Sequence, residues 1–187
     1  MMLWTIQPLS VWIELNNKGH YICDEKYIDP YFKKAYNWLV SQMEYRIGER
    51  PKGVTYPIWA WHTMNWKHKK PDLRESGYGE KGTKCVCMEI EVPDNEVLLS
   101  DFDAWHSVLN DGYFENSKSE EEWGILHNEF DKLSIEEQKR VKLKSWNKIF
   151  DISPFKNDWV HKGEYIQATF WVLYLKDVKR VQFFTSR

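Results

Sequence analysis

The chain has 187 residues, a formal charge of −2 and an isoelectric point near 6.3. One domain over residues 1–187 is expected, and there is no global basic field to hold a phosphate backbone. No apolar run approaches the roughly 20 residues of a membrane span, and the start lacks a basic stretch followed by a long apolar segment. Three cysteines argue against a disulfide framework. A cytoplasmic protein without membrane partners is expected.

Leu3–Gln7 reads as a strand. Pro8 suits the first turn of a helix that Gly19 would end, with Leu9, Trp12 and Ile13 on one face. His20–Cys23 reads as a brief strand. Asp29-Pro30 pairs a capping side chain with a proline at the first helical position, and Phe32, Ala35, Tyr36, Leu39 and Met43 then recur at helical spacing up to Gly48. Pro57–Trp61 reads as a strand, and 67–82, rich in Lys and Gly, as a loop that could cover a site. Lys84–Val92 alternates cleanly, with Val86, Met88, Ile90 and Val92 on one face. Val97–Leu99 is another strand, and Ser100 or Asp101 could cap a helix through Leu109. Ser119-x-x-Glu122 and Ser134-x-x-Glu137 match capping boxes and open helices near 120–132 and 135–149, an insertion expected to pack on a sheet. A long strand near 164–176, a turn at Lys176-Asp177 and a strand at Val178–Phe184 close the chain. Strands at both ends with helices between predict an α+β fold: a central antiparallel or mixed sheet, flanking helices, and a helical insertion near 115–150.

The stretch from Glu164 to Leu175 carries the most information about function. Strand geometry sends Tyr165, Gln167, Thr169 and Trp171 to one face. A polar group buried without a partner costs about 1–3 kcal/mol, so such a face suits a strand running from a core into a cleft. Thr5 and Gln7 share a face of the first strand. Trp59 and Trp61 share a face of another, as either a core slab or a wall for a flat ligand. Asp101, Asp103 and His106 cluster at a helix start, where capping and a surface ion pair compete with acid–base work. Gly77-x-Gly79-x-x-Gly82 lacks the strand before and the helix after it that a dinucleotide fingerprint needs. Cys85-x-Cys87 with His62 and His68 lacks the spacing of a zinc site, and no metal is expected.

Four blocks resemble a family of uncharacterised bacterial and phage proteins with a domain of unknown function: Leu3–Gln7, Tyr56–Trp61, Leu98–His106 and Gln167–Trp171. The layout is more remotely similar to ADP-ribosyltransferases, which split NAD. That resemblance implies a nucleotide- or NAD-related transferase site. Thr5 stands where those enzymes offer Arg or His, Trp59 and Trp61 stand in the second-strand motif, and Gln167-x-Thr169 replaces a motif that usually holds Glu. Gln167 and Thr169, with Asp101 and His106 in reserve, are the expected catalytic residues. Thr5, Gln7, Tyr56, Trp59, Trp61 and Trp171 are expected to hold the ligand. Nucleotide-like small molecules, possible NAD and a macromolecular acceptor are the implied partners. The competing expectation is a non-catalytic accessory that grips a protein or nucleic acid in a phage-defence or toxin–antitoxin setting.

Overall fold

The computed structural model describes all residues, 1–187. Its centre is a six-stranded, wholly antiparallel sheet in the order β10-β4-β1-β3-β8-β5. These strands are β1 (Met2–Pro8), β3 (Ile58–Met64), β4 (Lys84–Glu91), β5 (Leu98–Asp101), β8 (Tyr165–Phe170) and β10 (Val178–Thr185). Two short pairs lie outside it: β2 (His20–Tyr21) with β9 (Leu173–Tyr174), and β6 (Phe155–Lys156) with β7 (His161–Lys162). The helices are α1 (Leu9–Lys18), α2 (Lys33–Ile47), α3 (Phe102–Leu109), α4 (Glu120–Asp131) and α5 (Ile135–Ser145). None is long and apolar enough to cross a membrane. The α+β architecture with a helical insertion is the one the sequence pattern predicts.

Both faces of the sheet are covered except at its edge strand β10, which explains why the inner strands carry apolar residues on both sides. On one face Leu3, Ile58, Ala60, Val86, Met88, Ile90, Ala168 and Phe170 pack with Val11 and Leu15 of α1. On the other, Leu98, Trp59 and Trp171 meet α2, α3 and a 3₁₀ turn at Trp146–Phe150. Farther along this second face, Trp4 and Cys87 pack under Leu73, from the loop between β3 and β4. Gly19 ends α1 at φ 74° with its N–H on the Leu15 carbonyl, a conformation that L side chains resist. Asp29 caps only a 3₁₀ turn, Pro30–Phe32, before α2 begins.

Four expectations need correction. The last long strand does not run to residue 176: β8 stops at Phe170, Trp171 drops into the second core, and Leu173–Tyr174 pairs with β2 instead. The buried face of α1 is Val11 and Leu15, spaced i and i+4, whereas Ile13 is left 54% exposed. The insertion does not lay its two helices on the sheet. α4 has no buried residue and α5 only Ser145, so the contact is made by the turn after α5, through Trp146 and Ile149. Finally, the β6–β7 hairpin has no counterpart among the predicted elements.

Candidate ligand-binding site

The ladder between β1 and its two neighbours is unequal. With β4 all seven residues of β1 are in register, from Met2↔Glu91 to Pro8↔Cys85. With β3 the register is Trp4↔Trp61 alone. Beyond that pair side chains replace the backbone bonds: the Thr5 hydroxyl donates to the Trp59 carbonyl at 2.8 Å, and the Gln7 amide donates to Thr5 Oγ1 at 2.8 Å. Buried carbonyls need a partner, so this relay keeps the splayed strands satisfied.

A hollow of about 300 Å³ opens on the second face, between the cover given by α3 and that given by the β3–β4 loop. Ile6, Trp59, Trp61 and Gln167 line it, with Phe102 from α3 and Tyr78 from the loop, while Gln7, its amide turned back to Thr5, borders it from β1. Trp61 and Gln167 are cross-strand partners, so their side chains lie together on this face. The Trp61 ring is held against Phe102, with centroids 5.2 Å apart. Gln167 is partly buried, and its amide makes no hydrogen bond within the protein. Burial, aided by Glu75 and Asp72, pushes the Tyr78 phenol up to about 12, so it stays a neutral donor. A smaller hollow of about 250 Å³, lined by Val11, Tyr21, Cys23 and Tyr27, lies at the start of α1 and also touches Gln7 and Trp59.

The other residues singled out from sequence lie elsewhere. Thr5 is fully buried on the opposite face from Gln167, opposite Met88 in register, and its hydroxyl is spent on Trp59. Thr169 is buried with its hydroxyl 3.3 Å from the Leu98 carbonyl. Tyr56 is buried and donates to the Asn37 side chain at 3.1 Å. Trp171 belongs to the second core, where its indole N–H has no partner. Asp101 is buried, takes the Ala104 N–H at the start of α3 and the Gly163 N–H at 2.7 Å, and so joins two segments far apart in sequence. His106 is exposed, its Nδ1 2.9 Å from the Phe102 carbonyl. Cys85 and Cys87 are both buried, with burial raising both thiols and Cys87 reaching about 11. Gly77, Gly79 and Gly82 lie in the loop before β4. Tyr78 and Phe102 were missed as lining residues. The aromatic content of their segments was the only signal for them.

One electrostatic contact near the β6–β7 hairpin has a testable consequence. Lys162 and Ser153 hold the Asp151 carboxyl well below its ordinary 3.8, at about 2. A depressed carboxylate contributes stability above its unfolded value and loses it as the pH falls through the folded one. The hairpin is therefore expected to loosen between 3.8 and about 2. Because Asp151 is largely exposed, the effect is small, on the order of 1 kcal/mol or less. Amide exchange of residues 155–162 as a function of pH measures it, and Asp151→Asn should flatten the profile.

A family model described as "Domain of unknown function (DUF3841)" matches residues 2–179, and the chain belongs to that family. No curated protein and no solved structure matches it.

Proposed function

We propose, for this member of a family of unknown function, that the hollow beside β1 and β3 takes a flat heteroaromatic ring of the nicotinamide or nucleobase class. NAD is the first ligand to test. One observation carries the reading. Trp59, Trp61 and Gln167, contributed by two strands, line a single hollow, and the Gln167 amide there has no partner in the protein. Indoles supply stacking surface, and a primary amide pairs with the donor–acceptor edge of a carboxamide or base. Phosphates of a nucleotide would project out of the hollow, because neither Lys nor Arg lines it.

The finer reading, glycosyl transfer of ADP-ribosyltransferase type, needs a carboxylate to stabilise positive charge on the ribose. No carboxylate lines the hollow, and Glu164 is paired with His161 Nδ1 at 3.1 Å. The reading is therefore binding, with Thr5 and Thr169 holding strands in place, not handling a substrate. Titration calorimetry with NAD, nicotinamide and AMP tests it. At least one should bind, and Gln167→Ala should weaken it about tenfold, the equivalent of one hydrogen bond, with the melting temperature nearly unchanged. Absence of binding by all three, or equal binding by the variant, would remove the proposal. Transfer of label from NAD in the same samples tests the finer reading separately.

A further inference from the structure

We propose that a second cleft, walled by Trp123 and Trp159, binds an organic cation, a guanidinium or ammonium group carried on an apolar stem. The cleft has a volume of about 480 Å³ and lies between α3, α4, the 3₁₀ turn after α5 and the β6–β7 hairpin, apart from the hollow described above. That is within the range of small-ligand sites. Its two indoles are 40% and 47% exposed, large rings turned to the cleft and not to either core.

Both walls are positioned before any ligand arrives. Trp123 stacks on His127 at 4.8 Å, and His127 Nδ1 is 2.8 Å from Glu115. Asn157 accepts the backbone N–H groups of Trp159 and Val160 and donates to the Lys118 carbonyl at 2.8 Å, tying the hairpin to the insertion.

The charge of the lining decides the sign of the ligand. Asp101, Asp103, Glu115, Asp151 and Asp158 face Lys148, Lys162 and His161, the last paired with Glu164. Asp101 is satisfied by two backbone N–H groups, Asp151 by Lys162 and Ser153, and Glu115 by His127. Asp103 and Asp158 have neither an ion pair nor a hydrogen bond. Partial burial, then Asp101 and Glu164, raise the Asp103 carboxyl above its ordinary range against the opposing pull of His106 and His161. A cation would relieve that crowding, donate hydrogen bonds to the two free carboxylates, and rest over the electron-rich face of an indole. A neutral sugar would stack equally well and could donate hydroxyls to the carboxylates, but it would leave their charge uncompensated.

Calorimetry on the full chain with spermine, N-acetylarginine amide and maltotriose tests this and separates a free polyamine from a peptide side chain. Spermine or the arginine derivative is expected to bind, more weakly as salt is added. The double variant Asp103→Asn/Asp158→Asn should bind about tenfold less or worse, and Trp123→Ala should also weaken binding. Both aspartates are exposed and bond to nothing, so circular dichroism of the double variant should match the parent. Failure of both cations to bind, undiminished binding by the double variant, or binding of maltotriose in their place would overturn the proposal. NAD titration of the double variant should be unchanged, so failure here is distinguishable from failure at the hollow.

Discussion

Trp146→Ala is expected to lower the unfolding free energy by about 3–5 kcal/mol, the range for deleting a large buried ring. Trp146 is fully buried although its turn follows a helix with a mostly solvated surface. Its indole N–H donates to the Gly112 carbonyl at 2.7 Å, and its ring meets Trp38 edge-on at 5.3 Å. Truncation therefore removes packing and leaves a carbonyl unpaired at the joint between the insertion and the second core. Urea unfolding of the purified protein measures the loss. A change below about 1 kcal/mol would show that the site collapses around the gap and that the insertion is not anchored there. Trp123→Ala, on the same insertion but 40% exposed, should stay within about 1 kcal/mol of the parent.

Asp101→Ala should cost about 2–4 kcal/mol, because one buried carboxylate serves two backbone donors. Oδ1 accepts from Ala104 N at 3.0 Å and caps α3, and Oδ2 accepts from Gly163 N at 2.7 Å. The second bond matters as much as the first. Gly163 adopts φ 80° at the end of the β6–β7 hairpin, where an added Cβ would meet Pro154 at 3.2 Å, so the backbone there has little freedom to find another acceptor. Asp101→Asn keeps one acceptor and should cost roughly half as much. Faster amide exchange at both Ala104 and Gly163 in Asp101→Ala would confirm the double role. Acceleration at Ala104 alone would reduce Asp101 to a helix cap.

The same residues show which features were legible without coordinates. Asp101 as a cap was readable, because the spacing from Ser100 to Leu109 contains a helix start with a preferred capping residue. Its bond to Gly163, 62 positions away, was not, since nothing local marks a pairing across that separation. The indoles of Trp59 and Trp61 were placed on one face by alternation, as were Gln167 and Thr169. What alternation could not give was the side of the sheet on which Thr5 and Gln7 stand relative to them. That depends on the β1–β3 register and on the splay that follows it.

The sequence by itself determined the types of the main helices and sheet strands, the helix ends at Gly19 and Ser134, and the strands that carry paired aromatic and polar side chains. Those features follow from backbone preference, capping chemistry and side-chain periodicity, all of which act within a few residues. Only the tertiary structure decided that β8 ends at Phe170, that β1 parts from β3, and that two hollows and a carboxylate-lined cleft result. The chain beyond Phe170 has the residues to continue a strand, but burying Trp171 in the second core and pairing Leu173 with Tyr21 bring together segments about 150 positions apart, a choice that local propensity cannot express.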